Sequence, residues 1–445
     1  MDLWFEEQRK IYGDVFTIFI PTPFVVISGT KTLKEALVTN ADDFIGRKLA
    51  FPDTLFHEEL NVGVIFSDGA SWRDQRRLSL RILRDIGLNT EEKIMLSVEE
   101  LFEHADSLQN KDNVDISKLL HLCIGNVINS IVFGFRYKHD DAEDFHEFQR
   151  YVDKVMKQGQ EWQFRMLAMF PELEKISIFK RLLFRPFSKN NRILKEMNLI
   201  KVKQLEKTFD PDAEPTNFTH ALLKEIRNPD SRNSYMSDAH IHGMIFDFYF
   251  AGQETSTSVS RWIILFLTKY MDIQHKLQKE IDENVGRDNR LKMSDKPHLP
   301  YLNAFIYESL RVGNIVPFIP AHVCTRDVVI AGQLIPKGAC TQPNFGGTTQ
   351  DEEIFGDPKV FRPERFLLED GVSLRMDLVD QMDPFGQGKR ICAGKSLAMQ
   401  ELFLITGSLV QRYEFTHDHA PIDLTRVFAG VIPPPAYTCK MVRRV

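Results

Sequence analysis

The spacing of apolar and polar residues predicts a mainly helical chain with a few short strands. The pattern of apolar positions predicts helices over 90–109, 117–133 and 142–169, each with one buried face. The longest run follows Ser237, a candidate N-cap, and predicts a helix over 238–270. Because 244–250 is apolar on nearly every side, we expect this helix to lie buried at the centre of the fold.

β-branched and aromatic residues mark the predicted strands. They fill 15–28 on both sides of a Pro-Thr-Pro break, which predicts two strands joined by a turn. Residues 328–335 carry Ala-Gly near their centre and predict a hairpin. Over 30–40 we expect a short helix with Thr30 as its N-cap. The mixed sequence of 50–67 predicts a loop.

Composition narrows the class of protein and leaves the helical prediction unchanged. Of the 445 residues, 43% are hydrophobic and 27% are charged, as in ordinary globular proteins. The formal net charge of -6 gives no indication of nucleic-acid binding. The five cysteines are widely spaced and include no C-x-x-C pair. They therefore predict neither a disulfide framework nor a zinc site, and they favour a reducing compartment.

A glycine-rich loop around Cys392 is the strongest candidate for chemistry. It reads Pro-Phe-Gly-Gln-Gly-Lys-Arg-Ile-Cys-Ala-Gly over 384–394 and precedes an apolar, helix-forming run. Glycines let a backbone approach a flat partner, and the amides at a helix N-terminus stabilise a thiolate that suits iron. The tripeptide Cys-Ala-Gly alone is more typical of a structural turn. The full pattern resembles the haem-thiolate loop of the cytochrome P450 family at Phe385, Gly388, Arg390, Cys392 and Gly394.

A second resemblance to this family lies in the middle of the predicted central helix. Residues 251–256 read Ala-Gly-Gln-Glu-Thr-Ser, and polar groups inside a buried helix are unfavourable unless they are bonded or used. The alternative is a helix kink with locally satisfied polar groups. The family's oxygen-binding motif ends in Thr-Thr, so Ser256 is a mild departure. The resemblance implies that Thr255 orients dioxygen and an ordered water, and that Glu254 relays protons.

Four polar side chains are candidates for holding the haem propionates. Trp72 and Arg76 lie four residues apart on one face of a predicted helix that we expect Ser71 to cap. The pair resembles the family's Trp-x-x-x-Arg element, whose side chains hydrogen-bond a propionate. The resemblance implies the same role for Arg390 and for His322, although an isolated histidine is more typical of a protein surface.

A further motif has a structural role in the resemblance. Glu308 and Arg311 lie three residues apart on one predicted helix. They resemble the family's buried Glu-x-x-Arg, which pairs with an arginine in a later loop, here Arg365. Removing one member of such a buried ionic cluster costs roughly 3–5 kcal/mol, so we expect it to hold the cysteine side of the site.

These motifs follow the family's order over nearly the whole chain, so the resemblance implies both fold and activity. The implied fold is mainly α with small β-sheets: a single large haem-binding domain over 1–445 with a long central helix. The implied cofactor is haem b, with the Cys392 thiolate as axial ligand. The implied activity is monooxygenation, which inserts one atom of O2 into a lipophilic small molecule such as a xenobiotic, a fatty acid or a steroid-like compound.

Two rival functions stay open. One is a haem-thiolate isomerase or dehydratase, which needs no oxygen activation; the retained Glu254 and Thr255 argue against it. The other is a non-catalytic haem-binding protein.

The resemblance also implies partners. The chain carries no convincing nucleotide-binding fingerprint, so we expect electrons from a separate NADPH–cytochrome reductase, a flavoprotein, with cytochrome b5 as a helper. One helix face is basic, and it is either a docking site for an acidic electron donor or a solvated surface. It carries Arg73, Arg77, Arg81 and Arg84.

Three segments bear on the substrate and the membrane. Residues 176–187 interleave apolar and basic side chains, which suits a membrane surface, a pocket roof or a plain amphipathic helix. In the family, 50–67 lies over the active site, so its aromatic residues either contact substrate or cover the core. Microsomal members carry an N-terminal anchor, whereas this N-terminus shows no run of about 20 apolar residues. We expect the cytosolic face of the endoplasmic reticulum membrane with peripheral contact, or the cytoplasm if the missing anchor is genuine.

Overall fold

The computed structural model describes residues 2–57, 59–417, 421–427 and 430–444. Its α-helices are α1 (Asp2–Tyr12), α2 (Thr30–Lys34), α3 (Asp53–Phe56), α4 (Gly69–Ile86), α5 (Thr90–Ser107), α6 (Ile116–Val132), α7 (Glu143–Gln158), α8 (Trp162–Met169), α9 (Ser177–Phe179), α10 (Arg185–Lys207), α11 (Phe218–Arg227), α12 (Asp238–Lys269), α13 (Met271–Asn284), α14 (Pro300–Gly313), α15 (Phe345–Thr348), α16 (Glu352–Phe355), α17 (Met376–Met382) and α18 (Lys395–Arg412). Its strands are β1 (Val15–Ile20), β2 (Thr22–Ile27), β3 (His322–Val323), β4 (Val328–Ile330), β5 (Gln333–Ile335), β6 (Cys340–Pro343), β7 (Tyr413–Thr416) and β8 (Lys440–Arg443). The prediction of a mainly α fold with small sheets is confirmed.

Helix α12 forms the centre of the fold. It runs for 32 residues, which is about 50 Å at the usual helical rise, and it packs against α6, α14 and α18. The Ser237 and His240 side chains each bond the backbone of the other residue, so the N-terminus has a capping box. The prediction of a buried central helix capped by Ser237 is confirmed. Within the described ranges, no helix is both long and apolar enough to cross a membrane.

Three small sheets lie beside the helices. The largest has the order β1-β2-β6-β3, in which β2 and β6 are parallel and the other neighbours are antiparallel. The strands predicted within 15–28 and the hairpin over 328–335 are both present. Ala331 and Gly332 turn the hairpin with φ values of 47° and 77°, the left-handed region that glycine favours. Strands β7 and β8 form the third sheet.

Several predicted boundaries are wrong. The single helix over 142–169 is two helices, because Gly159 ends α7 and Glu161 is extended before α8 begins. The helix over 30–40 is α2 followed by a π-helical turn at Glu35–Thr39. Its N-cap is Gly29, at φ 77°, so Thr30 is the first helical residue.

The segment before α4 also differs from its prediction. Asp68 is the N-cap residue of α4, so the predicted cap Ser71 lies in the first turn of the helix. The Ser71 hydroxyl donates to the backbone oxygen of Asn61 at 3.0 Å instead. The segment 50–67 is a loop only in part, because it contains the four-residue helix α3.

Candidate haem-thiolate site

The loop around Cys392 is held in shape by its backbone. The Cys392 N–H donates to the Phe385 carbonyl oxygen at 3.0 Å, and α18 begins at Lys395, just after Gly394. Gly388 has a φ of 69°, and a Cβ there would collide with the Leu37 carbonyl oxygen. Position 388 therefore requires glycine. A Cβ at Gly394 would lie 3.9 Å from the Cys392 sulfur, an ordinary contact, so no neighbouring protein atom requires glycine there.

Cys392 lies just before α18 and is solvent-exposed as a residue. Its sulfur nevertheless lies close enough to neighbouring atoms for them to affect its ionisation. Burial raises the pKa of the Cys392 thiol, against the backbone amides of Gly394 and Lys395 and the charge of Arg76, which lower it. These amides and Arg76 are ready to stabilise a thiolate, and a bound metal cation would complete the deprotonation.

The structure brings Trp72 and both predicted arginines together beside this loop. The Arg390 guanidinium carbon lies 3.7 Å from the centre of the Trp72 ring, and that of Arg76 lies 5.9 Å from it. Arg76 donates to the Ile391 carbonyl oxygen, next to the cysteine. Arg390 donates to the carbonyl oxygens of Ile45 at 2.7 Å and of Ser67 at 2.8 Å. Helix α4 and the cysteine loop therefore form one unit.

His322 lies on β3 and closes another side of the same region. It is buried, and its Nδ1–H donates to the Phe44 carbonyl oxygen. Burial lowers the pKa of His322 well below its ordinary value, and the positive charges of Arg47 and Arg390 lower it further. A negative charge placed at Nε2 would reverse this effect and favour the charged ring.

Arg47 is a site residue that the sequence reasoning missed. It is buried, and it donates to the carbonyl oxygens of Ala321 at 3.1 Å and of Ile65 at 3.4 Å. It sits close enough to Arg390 to lower the pKa of that guanidinium, after burial, the larger cause. A lone arginine after Gly46 carries no motif, so the sequence offered no signal for it.

Positive charge is in excess around Trp72. The arginine cluster consists of Arg47, Arg76 and Arg390, and the carboxylate that interacts with it is Asp68, which lies 3.9 Å from Arg390. With the Cys392 thiol protonated, three guanidiniums and one carboxylate leave two positive charges to be balanced. Uncompensated buried charges are strongly unfavourable, so the cluster is suited to a dianionic ligand.

Unused hydrogen-bonding atoms converge on the same region. In the part of the chain that the structure describes, Nε1 of Trp72, Nε2 of His322 and Nη1 of Arg390 are buried and have no partner. Buried polar atoms are normally bonded. Two propionates would supply both the missing acceptors and the two negative charges. The donors, the charge excess and the exposed thiol together fit haem b.

The polar residues predicted to act on oxygen lie in the middle of α12, and we call them the second half of the candidate site. The Thr255 hydroxyl donates to the Ala251 carbonyl oxygen at 2.8 Å. Glu254 is buried, and the Gln149 side-chain amide donates to its Oε2 at 3.4 Å. Burial and the charge of Asp153 raise the pKa of Glu254 to about 7. A carboxyl group with this pKa exchanges its proton readily at neutral pH.

Among the described residues, no hydrogen bond joins Thr255 or Glu254 directly to the cysteine loop. The two halves are connected one residue further on, where the Ser256 hydroxyl donates to Oε2 of Glu401 on α18 at 2.6 Å. Burial raises the pKa of Glu401 to about 8. Since α18 begins beside Cys392, this bond fixes the spacing between the two halves.

The predicted ionic cluster is present and buried. Arg311 bonds both carboxylate oxygens of Glu308, at 2.7 and 2.8 Å, and Arg365 donates to Oε1 of Glu308 at 3.1 Å. Arg365 also donates to Oδ1 of Asp357 at 3.2 Å. Other guanidinium atoms bond backbone oxygens, including those of Thr349 at 2.9 Å and Val360 at 2.7 Å. The two arginines and the Glu308 carboxylate thus tie α14 to the segment that precedes the cysteine loop.

The fold and this arrangement define a haem-thiolate protein, and comparisons agree. The sequence model for Cytochrome P450 matches residues 1–441. Cytochrome P450 2B2 of Rattus norvegicus is 33% identical over 99% of this chain and 89% of its own length. Cytochrome P450 2J3 of the same species is 31% identical, over 91% and 80%. Cytochrome P450 2E1 of Oryctolagus cuniculus is 30% identical, over 99% and 88%.

The chain belongs to the cytochrome P450 family. It is a haem-thiolate monooxygenase, which binds haem b through a cysteine thiolate and inserts one atom of O2 into a lipophilic small molecule, a xenobiotic or a lipid. It receives its electrons from a redox partner. Nothing in the fold or the comparisons favours an isomerase, a dehydratase or a non-catalytic haem protein.

Proposed function

We propose that Cys392 is the axial cysteine of this monooxygenase and that residues 1–445 act as one catalytic domain. The observation that carries the assignment is the exposed Cys392 thiol at the start of α18, beside the arginine cluster and its unused donors. Gly388 lets the loop pass close to the Leu37 carbonyl oxygen, and Gly394 leaves the space beside the Cys392 sulfur free, where a porphyrin would lie. The Phe385 carbonyl oxygen holds the loop by accepting the Cys392 N–H.

The donors around Trp72 would hold the propionates of the haem. Nε1 of Trp72 and Nη1 of Arg390 would donate to carboxylate oxygens, and Arg76 would contribute charge beside Cys392. His322 already uses Nδ1–H on Phe44, so Nε2 must be protonated to donate as well. A propionate supports that proton by its own charge. Arg47 adds the third guanidinium.

Thr255 and Glu254, both on α12, act on O2 and on the protons that its reduction requires. When bound, haem iron supplies the reductive activation of O2. The Thr255 hydroxyl is bonded to Ala251, and rotation about its side-chain bond lets it donate to a ligand instead. Glu254 delivers protons toward Thr255, because its pKa of about 7 leaves both protonation states populated at neutral pH. The Gln149 amide holds one oxygen of that carboxyl group.

The redox partner is an NADPH–cytochrome reductase, with cytochrome b5 as a second donor. The basic face of α4 supports this proposal, because Arg77 and Arg81 are 62% and 43% exposed although each also meets a carboxylate. Arg73 lies on the same helix and is exposed. A cationic face speeds encounter with an acidic flavoprotein more than it adds affinity.

Contact with the cytosolic face of the endoplasmic reticulum membrane is also proposed. Helix α8 exposes Trp162 at its start, at 63%, and the segment between α8 and α10 exposes Ile178 and Leu182, at 61% and 59%. Lys180 and Arg181 lie between them in the chain. Exposed apolar side chains flanked by basic ones are typical of proteins that rest on a lipid surface.

The activity is tested by isotope incorporation. The purified chain, reconstituted with NADPH–cytochrome reductase and 18O2, is given a fatty acid and a neutral aromatic xenobiotic in separate reactions. One 18O atom in the product of either reaction supports the proposal. Consumption of NADPH without labelled product from either compound contradicts it.

A further inference from the structure

A buried group of three ionisable side chains joins the segment above α12 to that helix. We call residues 51–57 and 59–66 the roof loop, and Asp53, His57 and Asp247 the clasp. Nδ1 of His57 lies 2.5 Å from Oδ1 of Asp53, and Nε2 lies 3.0 Å from Oδ1 of Asp247. All three side chains are almost completely buried. Two members belong to the roof loop, and the third belongs to α12.

The second oxygen of Asp247 binds the far end of the same loop. Its Oδ2 accepts the backbone N–H of Val64 at 2.6 Å and of Ile65 at 3.0 Å. A Cβ at Gly63 would collide with this oxygen, and Gly63 has a φ of 77°. Asp247 therefore bonds the roof loop at two places, in its middle through His57 and near its C-terminal end through the backbone.

His57 carries a positive charge in this setting. Burial on its own would lower the pKa of His57, but the charges and hydrogen bonds of Asp247 and Asp53 outweigh it and raise the pKa to about 10. The imidazolium then donates from both ring nitrogens. Two buried carboxylates that face one another without this charge would repel, so the clasp depends on His57.

The clasp sets the position of aromatic side chains. Phe56, next to His57, stacks on Phe66 with ring centres 5.9 Å apart. On α12, it meets Phe246 at 6.4 Å and Phe250 at 5.8 Å. Phe250 directly precedes the segment Ala251–Ser256, which carries Thr255.

The same residues border an opening in the surface. Phe56 and His57 line a pocket together with Leu199 of α10 and with Gly243 and Phe246 of α12. The roof loop and two helices thus meet where the clasp holds them. A shift of His57 would move one wall of this pocket.

We propose that His57 is a positioning residue which, through Asp53 and Asp247, fixes the aromatic roof over the distal face of the site and thereby selects ligands by size. This inference rests on the proposed placement of substrate beneath the roof loop. The ligands it selects are apolar, because the roof and the facing helix present phenylalanine side chains. A small ligand that does not reach the roof is unaffected by the clasp.

The experiment compares the haem-loaded protein with its His57→Gln and Asp247→Asn variants. The matched control is His275→Gln, which removes an exposed histidine on α13 whose Nε2 lies 3.4 Å from Oε2 of Glu414 on β7. Imidazole and the bulkier 4-phenylimidazole are titrated, and binding is followed by the shift of the haem absorption band. Hydrogen exchange of the Val64 and Ile65 amides is measured in parallel.

We expect the two clasp variants to change the affinity for 4-phenylimidazole by about tenfold, or ~1.4 kcal/mol, with imidazole affinity kept. Exchange of the two amides becomes at least about tenfold faster, since local opening is easier. The control changes neither. The inference is overturned if the parent and the clasp variants bind 4-phenylimidazole with equal affinity and exchange the two amides at equal rates. It is also overturned if the variants lose the same affinity for imidazole as for 4-phenylimidazole. If His57→Gln does not fold, Asp53→Asn replaces it, with the same expectation.

The two exchange-monitored amides keep this inference separate from the proposed function. Their exchange is read on the protein without any ligand. If the parent protein binds no haem, the proposed site fails, and slow exchange lost in the variants still shows the clasp. If haem binds normally and neither readout moves, the clasp inference alone fails.

Discussion

The guanidinium carbon of Arg390 lies 3.7 Å from the centre of the Trp72 ring. This contact joins two segments that are far apart in the sequence. The contact leaves Nη1 of Arg390 and Nε1 of Trp72 buried and unbonded. A cation over an indole face is attractive, so Trp72 both holds Arg390 and presents a donor of its own. The same pair thus links α4 to the cysteine loop and provides two of the donors that we propose for the propionates.

Replacing Trp72 with phenylalanine separates these two roles. The Trp72→Phe variant keeps an aromatic face for Arg390 and loses the N–H. A hydrogen bond to a charged group contributes about 1.5–3 kcal/mol, so we expect haem to leave the variant about tenfold faster or more. Transfer of haem to apomyoglobin measures the rate. Trp162→Phe, at a 63% exposed position, serves as control, and equal rates in all three proteins would remove Trp72 from the propionate site.

Disruption of the ionic cluster around Glu308 is expected to lower the stability of the fold strongly. Glu308→Gln leaves the buried Arg311 without its carboxylate, and it leaves the buried Arg365 with the exposed carboxylate of Asp357 alone. We expect the free energy of unfolding to fall by roughly 3–5 kcal/mol, measured by urea denaturation of the haem-loaded protein. The matched variant Glu172→Gln breaks an exposed pair with Lys175, and we expect it to leave the unfolding midpoint nearly unchanged, because water screens exposed ion pairs. A small effect at Glu308 would mean that the cluster does not support the site.

We expect replacement of Glu254 with glutamine to reduce activity without reducing stability. Burial raises its pKa from 4.5 to about 7, so the folded chain keeps a proton that the unfolded chain releases. The carboxyl group therefore destabilises the fold progressively as pH rises from 4.5 to 7, and this penalty persists above pH 7. Glu254→Gln avoids that penalty, and at pH 8 we expect it to unfold at no lower urea concentration than the parent.

The same variant loses the proton donor. We expect product formation per NADPH to fall by about a hundredfold, and the pH dependence of turnover near neutrality to disappear. Glu401→Gln is the control, since it also removes a buried carboxyl group with a raised pKa and keeps an oxygen for the Ser256 hydroxyl. Full coupling in Glu254→Gln would exclude the proposed relay.

Charge reversal on the basic face of α4 is expected to impair electron delivery and nothing else. Reversal of charge in Arg73→Glu/Arg77→Glu opposes an acidic reductase, so we expect the apparent KM for reductase to rise about tenfold at low salt and less at high salt. Lys279→Glu reverses an exposed charge on α13 and leaves this KM unchanged. Equal KM values would indicate a solvated face without a docking role.

The elements that could be predicted from the sequence are those whose geometry follows from residues close together in the chain. The cysteine loop, with glycine required at 388, and the pair Glu308/Arg311 with Arg365 were all located from spacing and resemblance, and the structure shows their geometry. The central helix followed from its unbroken apolar run and its cap at Ser237. The roles of Cys392 and the other site residues stay predictions.

Long-range charge pairing left no such trace in the sequence. Arg47 joins the arginine cluster only because the fold places it against β3, and His57 meets Asp247 across the roof loop. Neither residue lies in a periodic or motif-like segment. The break at Gly159 was missed for a related reason, because an apolar pattern on both sides of a glycine predicts one helix as easily as two.

The most direct test of the account is the absorption spectrum of the reduced, carbon-monoxide-bound protein, taken for the parent and for Cys392→Ala. We expect a thiolate-type band in the parent and its complete loss in Cys392→Ala. Cys340→Ala, at a half-buried position on β6, keeps the band. A thiolate-type band that survives in Cys392→Ala, or that is absent from the parent, would contradict the assignment of Cys392.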